Sequence, residues 1–541
     1  MENKFIQSVM NKSYTENGAL SYATTKSACV DQFGKAGSYR GRSLEVVFQD
    51  QDLLWGENTD FAIKFPFYLR MITRKTQIKD NVTNSVQKGQ GARDESFKRL
   101  LWMAEHKPEL FYRNLWLLPI VGCWKDLWVL LFMDKNQVID KQQVFSIIAE
   151  GCISNTQKDL VKKYLPQIRS KKKCTTEWSQ ITNNLAKDFC NWSGWSFIEY
   201  RKFKSTGKAH QFQQYISKGL YDSIEWGKIP GKALLNLTNS KFISNHNLSE
   251  SYLEWFNSTD SVNFNGYPYE LGHKFWCNSG NKIARMTIDA QFDNLIKTAK
   301  DNNGGFKSNV WCAIDTSGSM GCRVSNKSDI TAEEVAISLG IYFSTLNEGA
   351  FHKNVIMFDD TSKVKQLKGT FSEMYEGILK GPIAWGGTNF MSVINEIVRV
   401  RKYNPNIPLE DFPDTLLIVS DMQFDSYNPS QTNYEAMKDK LYSVFPTDFV
   451  DNMKFIWWQV NGARTKDVPA TLDNGGCYFF SGFDGSVITL LLSGENQVID
   501  ETTGEKRTIN MEELIDKTLN QEVLQLIVTK NPQESTRTLV V

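Results

Sequence analysis

"WCAIDTSGSM", residues 311–320, decides how the second half of this chain is read. Four apolar residues run into Asp315, Ser317 and Ser319 at alternate positions, with no aliphatic side chain until Met320. A short, continuously apolar run fits a strand covered on both faces. The loop that follows can then aim one carboxylate and two hydroxyls at a single point.

Working outward from this stretch, "DNNGG" (301–305) is a turn-rich break, and after it strand-like and helical segments alternate. "TAEEVAISLGIYFSTLNEG" reads as a helix with Thr331 and Glu334 at capping-box spacing. "NVIMFDDTSKVKQLKG" reads as a strand, a tight turn and an edge strand, and "MSVINEIVRVRK" as a helix. "DTLLIVSDM" and "KFIWWQVNG" are further buried strands, while "GSVITLLLSG" and "MEELIDKTLNQEVLQLIV" close the chain as helices. The alternation predicts a doubly wound, mainly parallel sheet. Loops leaving its carboxyl edge converge on one site. "WGGTNF" (385–390) brings Thr388 there, and "LLIVSDMQFD" ends its strand at Asp421. Two carboxylates and three hydroxyls, with no imidazole or thiolate, suit a hard divalent cation. Mg²⁺ is the expected ion, and Mn²⁺ and Ca²⁺ suit the same donors. A cation held by so few charged groups stays electrophilic and can accept an acidic ligand.

This pattern, D-x-S-x-S followed by a threonine loop and an aspartate after a strand, resembles the metal-ion-dependent adhesion site of von Willebrand factor A domains. The resemblance covers residues 306–541 and implies metal ligands at Asp315, Ser317, Ser319, Thr388 and Asp421. It also implies an acidic protein partner as the occupant of the open position.

Residues 1–305 read as mostly helical, with Leu, Trp and Phe at helical spacings through 95–133 and with Pro108 and Pro119 as punctuation. Many short amphipathic pieces without a strict period predict an irregular helical-repeat array. "VGCWKDLWVLL" (121–131), "EYRKFKS" (199–205), "IPGKALLNLTNSKFISNH" (229–246), "GYPYEL" (266–271) and "VSDMQFD" (419–425) together resemble the uncharacterised plant and viral family related to TROVE proteins. That resemblance implies a HEAT-like helical domain in 1–305 joined to a von Willebrand A domain in 306–541, an α plus α/β chain. Through the family's relative, the Ro ribonucleoprotein autoantigen, it implies small or misfolded non-coding RNA as a partner.

The charge distribution bears on that partner. Residues 1–300 hold 41 Lys+Arg against 29 Asp+Glu, and the rest of the chain 21 against 32, so a total of +1 hides a basic half and an acidic half. Residues 151–250 concentrate the excess, 16 against 7. Lys162, Lys163, Arg169, Lys171, Lys172, Lys173, Arg201, Lys202, Lys204 and Lys208 are the candidate phosphate contacts. Tyr164, Trp178, Tyr200 and Phe203 are nearby rings for unpaired bases. The competing reading of this segment is a solvated helical face with its rings in the core.

Composition narrows the remaining classes. The chain is 541 residues with 41% apolar content, long enough for two or more cores. Nine cysteines without a C-x-x-C pair argue against a disulfide framework or a zinc ribbon and for a reducing compartment. No apolar run spans a bilayer and no signal-peptide stretch opens the chain, so a cytoplasmic location without membrane contact is expected. There is no phosphate-loop motif, no H-E-x-x-H and no serine elbow with a triad, so no enzyme is expected. Trp124 and Trp128 at i, i+4 read as core, His210 and His273 as ordinary polar residues, and Cys123, Cys190 and Cys277 as thiols with no evident histidine partner. The expected function is a non-enzymatic, TROVE-type RNA-binding scaffold with a divalent-metal A domain. The alternative is a metal-dependent protein-interaction or assembly module without RNA, such as one working in a viral particle.

Overall fold

Six short strands build the main sheet of a computed structural model that describes residues 10–78, 81–206, 211–303, 306, 309–325, 328–380, 386–462, 467–485, 488–492, 497–499 and 506–530. They are β1 (Val310–Asp315), β2 (Asn354–Phe358), β3 (Ser362–Gln366), β4 (Thr415–Ser420), β5 (Lys454–Gln459) and β6 (Cys477–Ser481). The order across the sheet is β6-β5-β4-β1-β2-β3. All neighbours are parallel except β3, which returns antiparallel along the edge. Every residue of β1, β4 and β6 is buried, as expected of strands covered on both faces, whereas β3 alternates and is half exposed. The chain runs from β1 to β2 on one side and comes back to β4 on the other. The direction of winding therefore reverses between β1 and β4, where a doubly wound sheet opens a crevice at its carboxyl edge.

Helix α4 shows how the sequence positions that crevice. The helices of the chain include α1 (Ala28–Ala36), α2 (Pro268–Asn278), α3 (Lys282–Asn303), α4 (Ala332–Leu346) and α5 (Phe371–Leu379). The Thr331 side chain accepts from the Glu334 amide and Glu334 reaches back to the Thr331 amide, closing the expected capping box. All fifteen residues of α4 are buried. Gly340 lies where a Cβ would stand 2.3 Å from Ile314 Cδ1, so its lack of a side chain lets the helix press on β1 one residue before Asp315.

The chain divides into two compact units, and their limits differ from the expected boundary at 305/306. One unit comprises the chain up to Arg42 together with Pro230–Thr518; the other comprises Ser43–Ile229 with the residues from Leu519 onward. The reason lies in what the helices after Pro230 bury. Phe292 of α3 packs on Phe371 of α5 with ring centroids 4.5 Å apart, and Arg285 pairs with Glu376 at 2.5 Å. Gly272 of α2 brings that helix so close to α4 that a Cβ would lie 2.1 Å from Ser338 Oγ. The break at 301–305, of which Gly304 and Gly305 lie outside the described residues, is thus a turn inside one unit.

The N-terminal residues belong to the same unit. Strands Lys12–Tyr14 and Leu20–Tyr22 form a hairpin, and α1 covers β6. Gly34 lies against Phe479, and the Gly37 amide donates to Ser481 Oγ at 3.0 Å. Neither this role of residues 10–42 nor β6 itself was anticipated. Of the two closing helices expected, Thr489–Leu492 is the helical part of the first among described residues. The second ends at Leu519 and gives way to a 3-10 turn at Leu524–Leu526.

The other unit is mainly helical. Its longer helices include Leu44–Glu57, Thr59–Arg70, Arg93–His106, Lys141–Ile153 and Glu177–Ser193, and a hairpin, Arg74–Ile78 with Asn81–Gln87, interrupts them. Two buried ionic groups brace it, Arg99 with Glu95 at 3.0 Å and Arg70 with Asp126 at 2.6 Å. The C-terminal stretch is stitched in by side chains. Asn114 donates to the Val528 carbonyl and accepts from its amide, both at 2.8 Å, and Gln521 bridges both backbone groups of Lys88. No helix among the described residues is long and apolar enough to cross a membrane.

Candidate metal centre

The five oxygen-bearing residues singled out in the sequence lie on three loops at the carboxyl edge. Asp315 ends β1 and Asp421 follows β4, and both are fully buried. The strands pair through Ile314 and Val419, which sets Asp315 beside Ser420 and next to Asp421. Asp315 Oδ1 accepts from the Ser317 amide at 2.9 Å and Oδ2 accepts from the Ser420 hydroxyl. The Ser317 and Ser319 hydroxyl oxygens are 3.2 Å apart. Gly318 donates its amide to the Gly386 carbonyl at 3.2 Å, tying the first loop to the glycine-rich loop that carries the buried Thr388. Trp385, at the head of that loop, lies outside the described residues.

Electrostatics give this arrangement its chemistry. Burial, and then the neighbouring Asp421 carboxylate, push the Asp315 carboxyl well above the usual carboxylate range. Two carboxylates removed from water side by side repel, and a bound cation would offset both the desolvation and the repulsion. The donor set fits a hard divalent ion of the Mg²⁺ kind, with Asp315 and Asp421 supplying charge and Ser317, Ser319 and Thr388 supplying hydroxyls. Among the described residues no three His, Cys, Asp or Glu side chains group in ligating geometry, so any ion here must draw on those hydroxyls.

Several neighbours of the site escaped sequence reasoning. The turn of the N-terminal hairpin lies across it: Asn17 Nδ2 donates to Thr388 Oγ1 at 3.4 Å and to the Gln423 carbonyl at 2.6 Å, and Thr15 Oγ1 donates to the Phe424 carbonyl at 2.7 Å. Asp360 Oδ1 accepts from the Gly387 amide at 2.7 Å, and a Cβ on Gly387 would lie 2.3 Å from Asp425 Oδ2. Acidic groups therefore crowd the loop from both sides. Met422, directly after Asp421, has φ +64°, a left-handed conformation costly for a non-glycine residue and common beside ligand sites.

The candidate RNA contacts divide by role. Lys163, Arg169, Lys171, Lys172, Lys173, Arg201 and Lys202 are exposed. Arg201 is tethered to the Ile168 carbonyl at 3.3 Å. Lys162 and Lys204 serve the fold instead. Lys162 is buried, pairs with Asp159 at 3.4 Å and lies over Phe203, while Lys204 Nζ donates to the Leu165 carbonyl at 2.6 Å. Burial holds the Lys204 ammonium below its ordinary pKa. Lys208, like His210, lies outside the described residues. Of the nearby rings, Tyr200 is core, whereas Tyr164, Trp178 and Phe203 are half-buried.

One further constellation appears on α2. Cys277 Sγ stands 3.9 Å from His273 Nε2, and His273 Nδ1 lies 3.1 Å from the buried Glu334, in a cavity of about 290 Å³. The expectation that this thiol lacks a histidine partner is therefore corrected: the i, i+4 spacing on a helix brings the two together. The order thiol, imidazole, carboxylate is that of a nucleophile, its base and an orienting group. The surroundings oppose that role, because burial and the charges of Glu334 and Asp329 raise the Cys277 pKa, whereas a reactive thiol needs an electropositive setting.

With the geometry in place, comparison with known proteins gives two family matches. Residues 309–532 match a model described as "Domain of unknown function (DUF7788)", and residues 15–213 match one described as "Domain of unknown function (DUF2828)". The chain is also similar to "Uncharacterized protein L728" of Acanthamoeba polyphaga mimivirus. The two are 23% identical over 531 residues, covering 90% of this chain and 85% of the viral protein.

Proposed function

We propose that this chain is a non-enzymatic binding scaffold whose sheet unit holds a divalent cation, Mg²⁺ first, at Asp315, Ser317, Ser319, Thr388 and Asp421. The cation presents an open position to an acidic side chain of a protein partner. One observation carries this reading: two fully buried carboxylates meet at the switch point of the sheet, beside two hydroxyls 3.2 Å apart. The strand order and the three donor loops support kinship with von Willebrand A domains. The test is a thermal melt with and without Mg²⁺, Mn²⁺ and Ca²⁺. Saturating ion should raise Tm, and Asp315→Ala should erase the rise. A wild-type melt indifferent to all three ions would overturn the reading.

A second reading, the TROVE-type RNA scaffold, is favoured by the exposed group Lys163, Arg169, Lys171, Lys172, Lys173 and Lys202. Filter binding to structured and single-stranded RNA should then weaken steeply with salt. Replacing Lys171, Lys172 and Lys173 by Gln should flatten the salt slope by about three counterions at most. Absence of binding at low salt would remove this reading.

A further inference from the structure

The helical unit contains a cleft of about 440 Å³ that neither the candidate cation nor the exposed lysine group explains. Its size falls in the range of small-ligand sites. Three rings form its walls, Trp116, Trp124 and Tyr164, each partly open to solvent. Trp124 is not the core residue that its spacing predicts. Its Nε1–H donates to Gln157 Oε1 at 3.2 Å, and its ring rests so closely on Gly151 that a Cβ there would lie 2.4 Å from it. The indole is thus fixed in place before any ligand arrives.

The cleft also carries cations. Arg74 and Lys75 line it, and Glu150 is the one acid among its lining residues. Arg74 donates to the carbonyls of Ile120 and Gly122, which aim the guanidinium without neutralising it. The nearby carboxylate, Asp126, is already engaged by Arg70 at 2.6 Å and Arg93 at 3.0 Å. Three guanidinium groups therefore face one carboxylate in this corner. Desolvation by burial, and then the charge of Arg70, lower the Arg74 pKa.

A cleft lined by three rings, one of them fixed, and by an uncompensated guanidinium matches a flat aromatic body carrying an anionic group. We propose that this cleft binds a nucleoside phosphate, with the base against Trp116, Trp124 and Tyr164 and the phosphate on Arg74 and Lys75. The site is independent of the cation centre, and its test needs no divalent ion.

The test is calorimetric titration of the full chain in chelator with AMP, GMP, CMP and UMP, and in a parallel arm with short RNA strands ending in the same nucleotides. At least one should bind, more tightly than adenosine or inorganic phosphate alone and more weakly as salt rises. Arg74→Gln and Trp116→Ala should each weaken binding by about tenfold, the loss of one charge-assisted or stacking contact. Lys75→Gln, whose side chain bonds to none of the described residues, guards against misfolding and should also weaken binding, while Glu150→Gln should tighten it. Binding by free nucleotide identifies a small-molecule site, and binding by strands alone identifies a strand-end site. No heat from either arm, or binding indifferent to Lys75→Gln and Glu150→Gln, overturns the proposal.

Discussion

Ser420 shows what a single residue contributes. Its hydroxyl donates to Asp315 Oδ2 and accepts from the Met422 amide at 2.9 Å, so it joins the two ends of the candidate centre. Ser420→Ala leaves a buried carboxylate short of a donor, and a loss of about 1–3 kcal/mol is expected in a denaturant melt. At Cys277 a pH effect is expected. A group whose pKa is raised is less ionised at neutral pH, so alkylation of this exposed thiol should run slower at pH 7.5 than that of an unhindered cysteine and accelerate as pH rises. Rates measured by mass spectrometry across pH check this, and a fast reaction at neutral pH would contradict it. The placing of Asp315 and Asp421 at strand ends was legible because a strand's last residue and the loop after it define the crevice. The contacts of Asn17 with Thr388 and of Glu334 with His273 were not, because each joins elements far apart in the chain.

Among elements, α4 and β1 depend on one missing side chain. Gly340→Ala would drive a methyl into Ile314, and a destabilisation of about 1–3 kcal/mol is expected, with a weakened response to Mg²⁺ because Asp315 follows Ile314. Thermal melts with and without ion separate the two effects. The alternation of apolar runs and helical periods made β1 to β5 legible, and the capping box at Thr331 fixed the start of α4. Strand β6 escaped because "CYFFS" is five residues of mixed aromatic character, too short for periodicity to decide. The helices after Pro230 were read as part of a helical domain, since a helical pattern says which face is apolar and nothing about which core receives it.

For the whole chain, the order of the sequence and the membership of the units differ. A protein of residues 306–541 alone would lack α1 and bare the face of β6 that holds Phe479, and it is expected to aggregate. A chain joining residues 10–42 by a flexible linker to 230–518 should instead be soluble and keep its Mg²⁺ response. Gel filtration and thermal melts decide between these outcomes. The turn-rich break at 301–305 was legible as punctuation. Its rank was not, because a turn between two elements of one core has the same residues as a turn between two cores.

The hairpin at the N-terminus has a consequence for synthesis. The Thr15 hydroxyl meets its acceptor, Phe424, 409 positions later. On the ribosome residues 10–42 must therefore wait, without their sheet, until the segment around Phe424 has emerged. So long a delay before closure slows maturation and prolongs the time in which nascent apolar surface is open to chaperones.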